Sequence, residues 1–173
     1  MPIPCSWKWV SAYQITKKIQ YGLSISGQNN GKYRLLRITD IQDGKVNWST
    51  LPFCNVPKEK YEDYKIVEDD IFIARTGGTI GKSFRLTTSK ESIVFAGYLI
   101  RFQLIIANLS EYIYFFFNSP LYWKQVSNKS MGTGQPNING VSLGQLILPL
   151  PPIGEQKRIC RKIERLLALI DLH

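Results

Sequence analysis

Two adjacent prolines, Pro151 and Pro152, divide this sequence more sharply than any other feature. Before them "LILPL" is an apolar run suited to a strand, and after them "IGEQKRICRKIERLLALID" carries a helical pattern. Proline cannot continue a strand ladder or sit inside a helix, but it is tolerated at a helix start, where Glu155 then complements the helix dipole. A helix is therefore expected to begin near Gly154. Ile159, Ile163, Leu166 and Ile170 recur at spacings of four, three and four, the a/d seam of a coiled coil, with Lys157, Arg158, Arg161, Lys162 and Arg165 on the other faces. From Glu155 to Ile170 the helix would extend roughly 24 Å, a length marginal for an isolated helix in water. Such a helix either folds back on its own domain or pairs with another helix, and periodicity leaves both open.

Upstream of the hinge, short β-branched and aromatic runs alternate with turn signals. "DDIFIARTGGTIGKSFRLT" reads as strand, glycine turn, strand; "YRLLRITDI", "VNWSTLPF" and "SIVFAGYLIRFQLI" read as strands, with "QDGK" a tight turn. "PKEKYEDYKI" and "SEYIYFFFNSPLYWKQVSNKS" have helical character, and "CSWKWVSAYQITKKIQ" suits an opening strand followed by a short helix. That order predicts an α+β fold: a globular body over residues 1–150 with a mixed or antiparallel sheet, then residues 151–173 as a proline hinge and a coiled-coil-forming helix. A chain of 173 residues is long enough to bury its own core. Its longest apolar runs, "IVFAGYLI" and "YIYFFF", are too short to span a bilayer. Cys5, Cys54 and Cys160 are odd in number, scattered and without C-x-x-C spacing, which argues against a disulfide framework and a zinc site and for a reduced, cytoplasmic setting.

Charge narrows the function. The net charge is +9, and residues 1–39 contain no acid while carrying six lysines and arginines, Lys32 and Arg34 among them. Residues 71–154 hold only Glu91 and Glu111 against seven cations, whereas the acids crowd into "KEKYEDYKIVEDD". If the two acid-poor regions fold side by side they form a surface for a polyanion. Arg75, Thr76 and Lys82 flank a glycine turn suited to phosphate, although an ordinary hairpin with Arg75 paired to Asp69 or Asp70 fits the same residues. The turn is not a P-loop, because "GGTIGKS" is too short between its glycines. In "SNKSMGTGQPNING", Lys129, Gln135, Asn137 and Asn139 lie in a polar loop whose amides suit adenine edges, while Gln135 and Asn137 alternatively bond the domain's own backbone. Base readers are expected in idiosyncratic stretches such as "SGQNNGKYR" or "KVNWSTL" rather than at Gln135 and Asn137. Tryptophans and the Tyr112–Phe117 run are expected in the core rather than stacked on bases.

"LPLPPIGEQKRICRKI", "DDIFIARTGGTIGK", "GTGQPNING" and "WKWVSAYQI" together resemble, in the right order, the DNA-specificity subunit of type I restriction–modification systems. The resemblance implies a target-recognition domain followed by a spacer helix, with double-stranded DNA, methyltransferase subunits and a restriction/translocase subunit as partners. Complete subunits of this kind carry two such domains and two helices. This chain is thus expected to be a half-subunit that forms a homodimer through Ile159, Ile163, Leu166 and Ile170, or a fragment whose second recognition domain lies elsewhere, as the abrupt "ALIDLH" suggests. No catalytic role and no cofactor are expected: the Asp/Asn-Pro-Pro-aromatic motif of adenine methyltransferases and the Pro-Asp of restriction nucleases are both missing. The alternative is a basic module that binds a partner's acidic surface without reading DNA.

Overall fold

Residues 2–42, 44–88, 90–130 and 137–170 are described by a computed structural model, the side chains of residues 129 and 130 excepted. The chain runs β1 (Lys8–Ser11), α1 (Ala12–Ile15), β2 (Thr16–Tyr21), β3 (Tyr33–Leu36), β4 (Ile41–Gln42), β5 (Lys45–Val46), β6 (Phe53–Cys54), α2 (Lys58–Tyr64), β7 (Ile71–Ala74), β8 (Ser83–Arg85), β9 (Ile93–Phe95), β10 (Leu99–Leu104), α3 (Ser110–Phe116), α4 (Pro120–Ser130), α5 (Gly140–Gly144), β11 (Ile147–Leu150) and α6 (Ile153–Ile170). This is the expected α+β class with its C-terminal helix. The central sheet has the order β2-β10-β7-β8 and is antiparallel. Beside it, β6-β3-β9 is mixed, since β9 runs parallel to β3.

The unbroken apolar runs of β7 and β10 suit strands covered on both faces, where successive side chains enter opposite layers. Ile71, Ile73, Ile100 and Phe102 pack with α3, α4 and β11 in one core, while Phe72 and Leu99 join Leu36, Phe84 and Phe95 in a second. Arg101 falls on the second face, where it is 2% exposed. Its guanidinium donates to Asp70 at 3.3 Å, to the carbonyls of Lys65 at 2.7 Å and Asp63 at 2.8 Å, and to the Gln20 side chain. Burial raises the Asp70 pKa and lowers that of Arg101, and their ion pair opposes both shifts.

Several segments are more divided than the sequence suggests. "SIVFAGYLIRFQLI" is two strands, β9 and β10, because the chain turns at Ala96–Tyr98 to pass from one sheet to the other. "SEYIYFFFNSPLYWKQVSNKS" is two helices: Pro120 cannot continue α3 but opens α4, with the Ser119 hydroxyl accepting from the Tyr122 N–H at 3.3 Å. "VNWSTLPF" splits into β5, a 3-10 turn and β6, and the opening segment continues past α1 into a second strand, β2.

β11 pairs with β1, and beyond it the Gln125 side chain donates to the Ile147 carbonyl and accepts from its N–H, both at 2.8 Å. The hinge then turns directly into α6. Gln156 and Cys160 are buried, Ile159 packs on the first core, Trp7 donates its indole N–H to Glu155 at 3.0 Å, and Gln156 donates to the Pro151 carbonyl at 2.7 Å. Burial, with Glu111 and Glu164 nearby, pushes the Cys160 thiol up to about 11. Past Ile163 the picture changes: Leu166 is 52% exposed and Ile170 68%. The helix therefore docks by its first half, and its second half presents apolar residues to solvent. Among the described residues no helix is long and apolar enough to cross a membrane.

Candidate nucleic-acid interface

The glycine turn and the Asn137 segment, more than fifty residues apart in sequence, meet in space. β7 ends at Ala74, and the next two residues continue as an extended edge: the Arg75 carbonyl accepts from Ile138 N–H at 3.0 Å, and Thr76 pairs with Asn137 as an antiparallel bridge. On the other side, Arg75 N–H donates to the Tyr98 carbonyl at 3.0 Å. Arg75, Thr76 and Asn137, expected as separate candidates, thus form one seam, with Tyr98, 63% exposed, at its border.

The electrostatic state of Arg75 follows from what surrounds it. The sequence offered Asp69 or Asp70 as its counter-ion, but both are engaged elsewhere. Asp69 takes Arg85 at 3.4 Å and accepts from Ser110, and Asp70 takes Arg101. The Arg75 guanidinium lies instead over the Tyr21 ring, 4.8 Å from its centroid, and its buried Nε has no acceptor among the described residues. An aromatic face orients the cation without neutralising it. Tyr21 is held in turn, its hydroxyl accepting from Gly140 N–H at 2.7 Å. Gly77 adopts φ +73°, which favours glycine, and a Cβ at Gly77 or Gly78 would meet nothing within 4 Å. Open space beside a positive charge lets a phosphate approach the backbone.

Lys82 lies beyond the turn. Its exposed side chain lines a cleft of about 670 Å³ with Gln42, Thr79, Asn118 and Trp123. Gly81, at φ +82°, is packed so closely on Trp123 that a Cβ would come within 2.8 Å of the indole. The two ends of the motif differ: Gly81 is demanded by packing, Gly78 is not.

Other expected residues have separate positions. Arg34 stacks on Phe53 at 3.8 Å and donates to the Leu51 carbonyl at 2.6 Å, so it braces the β3–β6 pair. Lys32 is exposed with its ammonium 5.4 Å from the Tyr33 ring, in that second sheet and not in the seam. Asn139 caps α5, its side chain accepting from Ser142 N–H at 2.7 Å. Gln135 and the Lys129 side chain lie outside the described residues. Ile159 and Ile163 are half-buried, whereas Leu166 and Ile170 are exposed. Sequence reasoning missed Tyr21 and Tyr98; a tyrosine ending a strand and another following Gly97 were the only signals. Among the described residues no three His, Cys, Asp or Glu side chains cluster to hold a metal ion.

Residues 16–173 match the family model described as the type I restriction modification DNA specificity domain. The chain is 36% identical over 143 residues to the EcoKI specificity subunit of Escherichia coli K12, an alignment covering 79% of this chain and 30% of that protein. It is 35% identical over 143 residues to the StySPI specificity subunit of Salmonella potsdam, again covering 79% and 30%. The chain therefore spans about 30% of the length of these curated relatives. In fold it is similar to the HsdS subunit from Thermoanaerobacter tengcongensis, with a TM-score of 0.74 at 15% identity over 99% of this chain and 40% of that one. A chain from a structure on complex assembly and conformational transition of the type I R-M system gives 0.76 at 16% identity, covering 99% and 41%. Because the family model spans nearly the whole sequence and two relatives exceed one-third identity, the chain belongs to the type I restriction–modification DNA specificity family.

Proposed function

We propose that this chain is a target-recognition module that reads one half of a bipartite double-stranded DNA site and delivers it to methyltransferase subunits, with a restriction/translocase subunit as a further partner. The observation that carries this reading is the unneutralised Arg75, oriented by Tyr21 beside the open Gly77–Gly78 turn and the Thr76–Asn137 bridge. In this reading Arg75 and Lys82 hold phosphates and fix the register. Thr76, Asn137 and Tyr98 then stand where base edges or exposed bases would arrive. Lys32, Lys129 and Gln135 are further contacts, and Arg34 acts through the strand pair it braces. The chain supplies recognition, and the chemistry comes from its partners. The apolar residues exposed late in α6 pair with a helix of a second copy or of a second recognition domain. In a two-fold homodimer the site would be a bipartite palindrome.

The test is to co-express the chain with its methyltransferase subunit in an unmethylated host and sequence the DNA for modified adenines. A single two-part motif that needs both proteins is expected. A stable complex that methylates no motif and binds DNA without sequence preference would sink the reading in favour of a basic protein-binding module.

A further inference from the structure

The exposed face of α6 is charged in a way that helix docking does not require. At 3.6 residues per turn, Arg158, Arg161, Lys162 and Arg165 fall within about 100° of arc, centred opposite the buried Gln156 and Cys160. All four side chains are exposed, together they line a shallow concavity of about 520 Å³, and among the described residues none has a carboxylate within ion-pair reach. The helix is not short of acids, but both are directed to the body: Glu155 accepts from Trp7, and Glu164 lies against Glu111 on α3, where burial first and then this neighbour raise the Glu111 pKa. Acids are turned to the body and cations away from it.

The same helix keeps its apolar residues on another arc. Ile159, Ile163, Leu166 and Ile170 lie to one side of the stripe, and between Arg158 and Arg165 the stripe itself holds no apolar side chain. Protein interfaces need an apolar or aromatic centre, which this stripe lacks, although arginine by itself is common at them. A purely cationic row of long side chains suits a polyanion with closely spaced charges, and duplex DNA presents one about every 1.7 Å of axis. Over Arg158 to Arg165 the helix rises about 10.5 Å, so its cations can engage several phosphates at once.

We propose that the Arg158–Arg161–Lys162–Arg165 stripe of α6 contacts the sugar–phosphate backbone of duplex DNA outside the recognised bases, so that the spacer helix is itself a sequence-independent DNA clamp. This rests on the DNA-reading function proposed above. The experiment measures the affinity of the full chain, with its methyltransferase subunit, for duplexes with and without the target motif across a salt series. The variant replaces Arg158, Arg161, Lys162 and Arg165 by Gln, and a control carries Arg158→Lys, Arg161→Lys and Arg165→Lys. Each phosphate contact contributes about 0.9 to the slope of log affinity against log salt, so the Gln variant should lose about 1.8–3.6 of slope on both duplexes, with the preference for the motif unchanged. The Lys control should keep the slope. An unchanged slope in the Gln variant overturns the clamp, and if its affinity for the methyltransferase subunit falls at the same time the stripe is a protein surface. A changed motif preference also overturns it, because the stripe would then be reading bases. If the unmodified chain itself shows no motif preference, it is the recognition function that fails, a result the variant comparison cannot produce. Circular dichroism and the thermal midpoint identify a variant that has misfolded.

Discussion

Arg75 is left without a carboxylate partner among the described residues because two other arginines have taken its neighbouring carboxylates. Arg85 holds Asp69 and Arg101 holds Asp70, which leaves the Tyr21 ring as the support for Arg75. If Arg75 holds a phosphate, Arg75→Gln removes a charge-assisted contact and should weaken DNA binding by about 1.5–3 kcal/mol, tenfold or more, at any sequence. Tyr21→Phe keeps the ring but loses the bond to Gly140, so it should cost a smaller amount, about 1 kcal/mol, and mainly in stability. Fluorescence anisotropy for binding, with denaturant titration for stability, separates the two. Equal losses of DNA affinity would mean that Arg75 is a structural brace. Neither aspartate pairing was legible in the sequence, since proximity along the chain favoured Arg75 for both acids, and the sheet register decided otherwise.

At the scale of the element, α6 is one helix with two environments. Ile159 packs on the body's core beside buried Cys160, whereas Leu166 and Ile170 are exposed although all recur at the same apolar spacing. Periodicity marks the seam but cannot say where along it the body ends. Ile159→Asp should therefore destabilise the folded chain by about 2 kcal/mol or more, as burying an unpaired charge does, while Leu166→Asp with Ile170→Asp should leave the unfolding midpoint nearly unchanged. The second variant should instead abolish self-association or pairing with another recognition domain, read by sedimentation velocity. A large drop in midpoint for Leu166→Asp would show that this half also docks on the body.

Across the whole molecule, the central sheet and α2 are tied together by a buried polar knot at Arg101. It ties β10 to Asp70 at the start of β7, to Gln20 on β2 and to carbonyls at the end of α2, so one side chain connects the central sheet to the surface helix. Arg101→Met strands the Asp70 carboxylate in an apolar setting and should cost about 3–5 kcal/mol by denaturant titration. Adding Asp70→Asn removes the stranded charge, so the double variant should be more stable than Arg101→Met alone, and losses that simply add would refute the coupling.

By itself the sequence determined the α+β class, the existence of a helix after the two prolines, and the family, because proline stereochemistry, hydrophobic period and motif order are local properties of the chain. It also marked Arg75, Thr76, Lys82 and Asn137 as polar residues worth attention. Only the tertiary structure decided that Arg75, Thr76 and Asn137 share a seam, that Tyr21 supports it, and that Asn139 and Arg34 serve local structure. Those outcomes depend on strand order and register, which bring together residues far apart in sequence, and on the competition among cations for a few buried carboxylates, which no single segment can settle alone.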